Sequence, residues 1–228
     1  MTGLKQLIFD ADDTLWENNF IYESTRSAYI KICTEHNLNE KQIIADFFRI
    51  ENDVVLQKGY GSQNFLHILK VLYEMHLAPR AQKEFSRIID VFLTQVNNPR
   101  PVFPNVIQTL EYLSGKYQLY VLTKGDLNEQ RNKLEQSGLK KYFIESFIRS
   151  EKSVATYQEI LTQKKWSEKE VCMIGNSPKS DINPALQCGI YAIYIPYAHT
   201  WRLEQEELLT RHPRLRQVGN FDQLRSIL

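Results

Sequence analysis

Two aspartates stand two residues apart at the end of the first apolar run of the chain. Asp10 and Asp12 follow Leu7-Ile8-Phe9, which has the length and composition of a short buried strand. Side chains of a strand alternate between its faces, but once the chain turns at the strand end both carboxylates can converge on one site. Buried carboxylates are costly unless they bind a cation or take part in a reaction. The pair therefore indicates a site that binds a cation or takes part in a reaction.

Further candidate residues follow this first strand or the later predicted strands, and Lys152 opens the helix that precedes one of them. In an open parallel sheet the ligand crevice lies outside the carboxyl ends of the strands, so we expect these residues at the same edge as the aspartate pair. They add hydroxyl, ammonium, amide and carboxylate groups and one glycine: Thr14, Thr123, Lys124, Gly125, Lys152, Asn176 and Asp181.

These residue types suit phosphoryl transfer. A carboxylate such as Asp10 can attack phosphorus and form an aspartyl-phosphate, which divides one difficult step into two easier ones. The migrating group spreads negative charge over its oxygens, which Thr123, backbone N–H groups and Lys152 can stabilise. Asp10 and Asp181 offer the oxygen ligands that Mg²⁺ prefers. Asp12 is suited to protonate the leaving oxygen and then to activate the attacking water.

The chain from Pro104 onward alternates between helical and strand patterns. Strands are expected at 119–122, 143–148, 171–174 and 191–195, and helices lie between them, the last running from Asp181 to Gly189. This β-α-β-α order implies a parallel sheet with right-handed crossovers, to which the first strand also belongs. We therefore predict an α/β fold with a Rossmann-like, doubly wound parallel sheet.

Between the first strand and this alternating region the pattern is helical for about 80 residues. Apolar residues recur at helical spacing in four stretches, as in Ile43, Phe47, Ile50 and Val54. Turn residues at 37–39, 59–61 and 78–79 separate the stretches, and the segment 97–101 ends the pattern. We predict a four-helix-type cap over residues 17–98 and a catalytic core formed by residues 1–16 and 99–228.

The candidate site residues resemble the four motifs of the haloacid-dehalogenase-like (HAD) hydrolase superfamily. The resemblance is to its phosphatase branch, with a helical cap inserted after the first motif. Leu7-Ile8-Phe9-Asp10-Ala11-Asp12-Asp13-Thr14-Leu15 is similar to the first motif, DxDxT after an apolar strand. Thr123 resembles the Ser/Thr of the second motif and Lys152 the lysine of the third. Gly175-Asn176-Ser177 with Asp181 resembles the acidic fourth motif. The resemblance covers nearly the whole chain, and four motifs in order are far more specific than one.

The resemblance implies a role for each matching position. Asp10 would be the nucleophile and a metal ligand, and Asp12 the general acid/base that also binds Mg²⁺ through its backbone carbonyl. Thr123 would bind phosphate, and Lys152 would neutralise the Asp10–phosphate pair. The fourth motif, with Asn176 and Asp181, would complete the Mg²⁺ site.

The remaining candidate residues are expected to contact a small phosphorylated metabolite. They lie beside the motifs or where the chain enters the cap: Thr14, Thr123, Lys124, Gly125, Glu17 and Asn18. The cap would act as a lid that excludes water and reads the leaving group. Nucleoside monophosphates, sugar phosphates and cofactor phosphates stay open as substrates, and the pattern favours no particular oligomeric state.

One position departs from the family pattern. The fourth motif usually has an acid where this chain has Asn176. An amide still offers a carbonyl oxygen to a hard cation, but the site has one negative charge fewer. We therefore expect weaker Mg²⁺ binding than in a site with two acids, with Asp181 holding or positioning the ion.

Three alternative functions are open at this point. A 2-haloacid dehalogenase also uses an aspartate nucleophile but normally has no second acid at the position of Asp12, because a halide needs no proton. A phosphonate hydrolase would need a cap lysine for a Schiff base. The alternative from another class is a catalytically weak binding or regulatory module that keeps the fold, with Asn176 as a sign of decay.

Composition excludes several other classes of protein. The net charge is +1, from 28 basic and 27 acidic residues, which gives no electrostatic case for binding nucleic acid. Cys33, Cys172 and Cys188 are far apart, which favours reduced thiols over disulfides or a zinc site. We expect no signal peptide, because no apolar stretch follows a basic region near the first residues, and no apolar run approaches the length of a membrane span. We expect a cytoplasmic protein with no membrane partner.

Overall fold

The computed structural model describes residues 3–228, which form two compact units. One unit combines the N-terminal segment up to Asn19 with Arg100–Leu228, and the other is Phe20–Pro99. The strands are β1 (Gln6–Phe9), β2 (Gln118–Lys124), β3 (Glu145–Arg149), β4 (Val171–Gly175), β5 (Tyr191–Tyr194) and β6 (Leu215–Gln217). The helices are α1 (Asn19–Glu35), α2 (Glu40–Lys58), α3 (Ser62–His76), α4 (Gln82–Asn97), α5 (Val106–Ser114), α6 (Leu127–Gln136), α7 (Val154–Lys164), α8 (Asn183–Gln187) and α9 (Leu224–Ile227).

The first unit is built on one six-stranded sheet with the order β3-β2-β1-β4-β5-β6. Every neighbouring pair is parallel, and β1 lies between β2 and β4. The strand order changes direction at β1, and an open α/β sheet binds its ligands where this happens. The predicted α/β fold with a doubly wound parallel sheet is confirmed, and it places the end of β1 at the expected ligand crevice.

Two apolar cores cover the two faces of this sheet. Leu7 and Phe9 of β1 belong to one core and Ile8 to the other, as the alternation of side chains along a strand requires. All residues of β1 and β4 are buried, which explains why these strands are almost continuously apolar in sequence. Burial on both faces fixes the register of the strands that lead to the polar edge.

The structure differs from the sequence-based expectation at two elements of this unit. The edge strand β6 was not predicted, since it has three residues and only Leu215 is buried. The helix expected from Asp181 begins earlier, as a wide π-helical turn over Pro178–Ile182 that continues into α8. Asp181 therefore lies inside a turn and does not begin a helix.

The second unit consists of α1–α4, the four helices that the periodicity predicts. Its own core contains large side chains that are fully buried, among them Tyr29, Phe47, Leu69, Leu72 and Phe92. Ring contacts such as Phe65 with Phe92, whose centroids are 5.0 Å apart, fill the space between the helices.

A polar network lies within this helical core. Asp46 accepts hydrogen bonds from Gln42 Nε2 (3.0 Å) and Arg49 Nη2 (3.2 Å), and its Oδ2 lies 3.2 Å from His76 Nε2. The other ring nitrogen of His76 lies 3.1 Å from the Tyr29 hydroxyl. The network connects α1, α2 and α3, and it gives the buried carboxylate three partners.

None of the helices in the described part of the chain combines the length and apolar character that crossing a bilayer requires.

Candidate active site

The site begins where β1 ends. The Asp10 N–H donates to the Ile174 carbonyl (2.9 Å), which anchors the turn to β4. The chain then folds back, with the N–H of Leu15 donating to the Ala11 carbonyl (2.9 Å). This turn brings the Thr14 hydroxyl to Asp10 Oδ2 at 2.8 Å. Because the backbone is bonded on both sides of Asp10, its carboxylate has a fixed position at the sheet edge.

Lys152 joins the two buried acids of the site. Its ammonium donates to Asp10 Oδ1 (2.5 Å), to Asp181 Oδ1 (2.6 Å) and to the Leu122 carbonyl (3.2 Å). The side chains of Lys152, Asp10 and Asp181 are 3%, 7% and 0% exposed. The structure thus brings together three residues that are far apart in sequence, and one cation serves two carboxylates.

The pKa values of these three residues reflect the ratio of two carboxylates to one ammonium. Burial raises the pKa of Asp10, and the opposing effect of Lys152 and Thr14 does not cancel it. Burial and the neighbouring Asp10 raise the pKa of Asp181 to about 7. Burial would lower the pKa of Lys152, but the two carboxylates outweigh it and raise that pKa. The site therefore has an excess of negative charge that a further cation would relieve.

The wide turn after β4 holds Asp181 in place. The Ser177 N–H donates to Asp181 Oδ2 (2.9 Å). The Tyr157 hydroxyl of α7 donates to the Ser180 carbonyl (3.0 Å) in the same turn. A methyl group on Gly175 would lie 2.3 Å from Asp181 Oδ2, so only glycine leaves room for the carboxylate.

Asp12 lies in a different environment from Asp10. It accepts hydrogen bonds from Trp16 Nε1 (2.8 Å), Gln130 Nε2 (3.0 Å) and Lys133 Nζ (2.5 Å). Burial alone would raise its pKa, but the charge and hydrogen bond of Lys133, with the bonds from Gln130 and Trp16, bring it below the usual value. Asp12 is therefore held ionised in this arrangement.

The end of β2 contributes the next group. The Thr123 hydroxyl donates to Gln130 Oε1 (3.2 Å), so Gln130 bridges Thr123 and Asp12. Lys124 Nζ donates to Glu204 Oε1 (2.5 Å) and Ser180 Oγ (3.0 Å). Gly125 has φ +137° and donates its N–H to the Arg149 carbonyl (3.1 Å).

Asn176 follows β4 and is 5% exposed. Its Nδ2 donates to Thr200 Oγ1 (3.1 Å), and its Oδ1 lies 3.2 Å from Thr14 Oγ1. The amide therefore stands beside Thr14, on the side of the Asp10 carboxylate.

The connection that leaves the first motif is organised by Asp13. Its Oδ1 accepts from the N–H groups of Asn18 (2.8 Å) and Asn19 (2.9 Å). Asn18 Oδ1 accepts from Arg100 Nε (3.3 Å), and the Glu17 N–H donates to the Pro101 carbonyl (3.0 Å). These bonds of Glu17 and Asn18 thus hold the segment that leaves the α/β unit beside the segment that returns to it.

The structure brings Asp10, Thr14, Lys152, Asn176 and Asp181 into one group of neighbouring polar side chains. Asp12 and Thr123 form a second group through Gln130. Sequence reasoning missed several partners of these groups: Gln130, Lys133, Tyr157, Thr200 and Glu204. Gln130 and Lys133 had a usable signal, since they are three residues apart on the helix that follows Thr123 and so lie on one face.

The oxygen atoms of this edge match one kind of metal. Within residues 3–228 no three His, Cys, Asp or Glu side chains form a metal-binding group. Mg²⁺ does not need one, because it is usually held by one or two carboxylates together with water and substrate phosphate. Asp10, Asp181 and the carbonyl oxygen of Asn176 are such donors, and the two acids have one ammonium, that of Lys152, between them.

Comparison with known proteins gives consistent matches over most of the chain. The family model described as haloacid dehalogenase-like hydrolase matches residues 4–189. A glyceraldehyde 3-phosphate phosphatase of Methanothermobacter thermautotrophicus is 24% identical over 99% of this chain and 100% of its own length. A protein of the same name from Methanopyrus kandleri is 25% identical over 84% of each chain.

Solved structures agree with these matches. A haloacid dehalogenase-like family hydrolase from Xanthomonas campestris superposes with a TM-score of 0.83 at 27% identity, over 99% of this chain and 90% of that one. The family predicted from the motifs is confirmed, and the names of both curated relatives support its phosphatase branch. The parallel sheet, the polar edge at β1 and these matches together show that the chain belongs to the haloacid dehalogenase-like hydrolase family.

Proposed function

We propose that this protein is a Mg²⁺-dependent phosphatase that hydrolyses the phosphomonoester of a small metabolite through an aspartyl-phosphate on Asp10. The observation that carries the proposal is the position of Asp10. It is a buried carboxylate at the end of the central strand, oriented by Thr14 on one oxygen and by Lys152 on the other. A nucleophile held in one orientation on a rigid strand is what an in-line attack on phosphorus requires.

In the first step Asp10 attacks phosphorus and the bond to the leaving alkoxide oxygen breaks. Lys152 lies 2.5 Å from Asp10 Oδ1, so its charge opposes the repulsion between the carboxylate and the incoming phosphate. Thr123 is placed at the end of β2, next to β1, where its hydroxyl can donate to a phosphate oxygen. Lys152 is already in place at the developing charge, whereas the Thr123 hydroxyl would have to exchange its bond to Gln130 for one to the phosphate.

Asp12 moves the protons in this proposal. In its protonated form it gives a proton to the leaving oxygen, and the resulting carboxylate then takes a proton from the water that attacks the aspartyl-phosphate. This second step releases inorganic phosphate and restores Asp10. Lys133 favours the ionised form of Asp12, which is the form that activates water. The first step therefore requires that Asp12 takes up a proton and turns from Lys133 toward the leaving group.

Mg²⁺ would be held by Asp10, Asp181, the backbone carbonyl of Asp12 and the side-chain oxygen of Asn176. When bound, the ion supplies positive charge to the phosphoryl oxygens. Asp181 is suited to this role because it is fully buried and its position is fixed by the Ser177 N–H. With Asn176 in the place of an acid, the set has one charge fewer than the usual fourth motif, and we expect correspondingly weaker binding.

The remaining predicted contacts belong to the same proposal. Lys124 is bound to Glu204 and Gly125 to Arg149, so a substrate phosphate would have to compete with these partners. The relatives named glyceraldehyde 3-phosphate phosphatase favour a short-chain sugar phosphate as substrate. Such a compound is the first to try in a panel that also holds nucleoside monophosphates and cofactor phosphates.

The test is phosphate release from p-nitrophenyl phosphate and from the metabolite panel, with Mg²⁺ and with EDTA. Asp10→Asn removes the nucleophile at nearly constant shape, and we expect a loss of at least about 10³-fold in kcat/KM. Asp53→Asn, the same change at an exposed position of α2, is the matched control and should keep full activity. Activity that survives in Asp10→Asn contradicts the covalent mechanism, and inactivity on every phosphoester favours the binding module instead.

A further inference from the structure

The amide of Asn176 is buried and has one polar contact at each end. Its Nδ2 donates to Thr200 Oγ1 at 3.1 Å, and its Oδ1 lies 3.2 Å from Thr14 Oγ1. Asn176 is 5% and Thr200 8% exposed, so water does not freely replace these partners. The orientation of such an amide is decided by the donors and acceptors around it.

The oxygen end of this amide shares its donor with Asp10, because the Thr14 hydroxyl lies within hydrogen-bond distance of both Asn176 Oδ1 (3.2 Å) and Asp10 Oδ2 (2.8 Å). A hydroxyl has one hydrogen, and that of Thr14 goes to Asp10 Oδ2, which is nearer at 2.8 Å and is a carboxylate acceptor. Among the described residues no other donor reaches Asn176 Oδ1. A buried acceptor that competes with a nearer carboxylate for its donor is weakly satisfied, so a partner from outside the chain would stabilise it.

A reversed amide would end this competition for the Thr14 hydrogen. The NH₂ group would then donate to Thr14 Oγ1, and the carbonyl oxygen would need a hydrogen from Thr200. The hydroxyl of Thr200 instead donates to the Tyr197 carbonyl at 2.9 Å, so its oxygen acts as an acceptor toward Asn176. Thr200 therefore favours the orientation that leaves the carbonyl oxygen of Asn176 on the side of Asp10.

The segment that contains Thr200 is itself anchored. Gln205 Nε2 donates to the Thr200 carbonyl (3.0 Å), and the Thr200 N–H donates to the Tyr197 carbonyl (3.1 Å). The ring of Tyr197 lies against Phe103, with centroids 5.3 Å apart. The hydroxyl is thus presented to Asn176 from a fixed backbone.

We infer that Thr200 is a positioning residue that holds the Asn176 amide with its carbonyl oxygen toward Asp10, so that this oxygen serves as a ligand of Mg²⁺. The inference rests on the proposed function, since it assigns a neighbour to the metal site proposed there. The reversed amide would direct N–H groups at the cation and repel it. A neutral side chain in the fourth motif therefore needs a second residue to orient it, which a carboxylate with two equivalent oxygens does not.

The first measurement is Mg²⁺ affinity by titration calorimetry, with the full-length protein and no substrate. Thr200→Val keeps the shape of the side chain but removes the acceptor, and we expect Mg²⁺ binding about tenfold weaker, as for other residues that orient a metal ligand. Thr200→Ser keeps the hydroxyl and should restore the wild-type affinity. Thr210→Val is the matched control, because Thr210 is exposed in the same connection between β5 and β6.

The second measurement repeats the substitution in an Asn176→Asp background. A carboxylate presents oxygen in either orientation, so Thr200→Val should change the Mg²⁺ affinity of Asn176→Asp by no more than about twofold. This non-additivity separates an orienting role from a merely structural one. Thermal unfolding in EDTA checks that each variant is folded.

The outcomes are distinguishable from those of the proposed function. Tight Mg²⁺ binding by the wild type that Thr200→Val leaves unchanged overturns the inference alone. An equal loss of affinity in both backgrounds also overturns it, because Thr200 would then support the loop and not the amide. A wild-type protein that binds no Mg²⁺ overturns the inference and the proposed metal site together.

Discussion

Both units of the molecule bury carboxylates, but they surround them differently. In the helical unit Asp46 has three partners, Gln42, Arg49 and His76. The hydrogen bond from Gln42, with those from His76 and Arg49, lowers the pKa of Asp46 against the effect of burial. This acid is satisfied by its neighbours and joins helices.

In the α/β unit two acids share one ammonium. Asp10 and Asp181 both depend on Lys152, and burial raises the pKa of each. Buried acids with too few partners are unfavourable for stability, and strongly perturbed groups gather at functional sites. Burial of an acid therefore does not by itself distinguish function from structure. What differs between these two groups is the number of partners: Asp46 has three of its own, whereas Asp10 and Asp181 share the ammonium of Lys152.

The largest effect is expected from removing the shared cation. Lys152→Met leaves two buried carboxylates facing each other, and we expect a loss of about 3–5 kcal/mol in the free energy of unfolding together with loss of activity. Urea denaturation in EDTA and phosphate release measure the two effects. Lys140→Met breaks the pair of Lys140 with Glu135, which lies in solvent, and should leave stability and activity nearly unchanged. Equal losses in the free energy of unfolding of Lys152→Met and Lys140→Met would contradict the comparison.

A smaller effect is expected from moving one acid without removing a charge. Gly175→Ala places a methyl group 2.3 Å from Asp181 Oδ2, the oxygen that accepts from the Ser177 N–H, so we expect the carboxylate to shift from its present position. A displacement near 1 Å can cost about 10²-fold in rate, and we expect a loss of that order in kcat/KM. At Gly115 a methyl group would meet only the Tyr112 carbonyl at 3.6 Å, so Gly115→Ala is the control. Wild-type kinetics in Gly175→Ala would show that the position of Asp181 does not matter.

The smallest effect on activity is expected in the helical unit. Asp46→Asn weakens the bonds to Arg49 and His76, and we expect a loss of about 1–3 kcal/mol in the free energy of unfolding at neutral pH with little change in the rate on p-nitrophenyl phosphate. Because the pKa of Asp46 is lowered in the folded state, its contribution is present above the unfolded pKa and disappears as the pH falls through the folded pKa.

The difference between wild type and Asp46→Asn should therefore shrink below about pH 4. Urea denaturation from about pH 3 to pH 7 measures this difference across the ordinary titration range of aspartate. A difference that stays constant over the range would show that the charge of Asp46 does not stabilise the unit. A large loss of activity would show that the polar network is more than a structural element.

The sequence predicted most of what depends on local pattern. The helices of the second unit follow from the spacing of residues such as Phe47 and Ile50, which are buried as expected. Strand β1 and the residues after it could be predicted because a short apolar run that ends in two nearby acids is typical of a buried strand leading into a polar site. Lys152 could be assigned only with the other motifs, since a lone lysine is usually exposed.

The rest depends on contacts between distant parts of the chain. Thr200 and Glu204 lie in an irregular connection between β5 and β6, where no periodicity indicates which side chains turn inward. Tyr157 looks like an ordinary core residue of α7, and its bond to the Ser180 carbonyl joins two elements that are distant in sequence. Such partners are determined by tertiary packing, which a single sequence does not express.

The bond from Tyr157 to the turn at Ser180 has a mechanical consequence. Lys152 stands just before α7, and Tyr157 lies in the first turns of the same helix. Lys152 and Tyr157 therefore belong to one short segment, and both contact the turn that contains Asp181: Lys152 through the Asp181 carboxylate and Tyr157 through the Ser180 carbonyl. Because both contacts come from the same segment, we expect a substitution that shifts α7 to move the ammonium and this turn together.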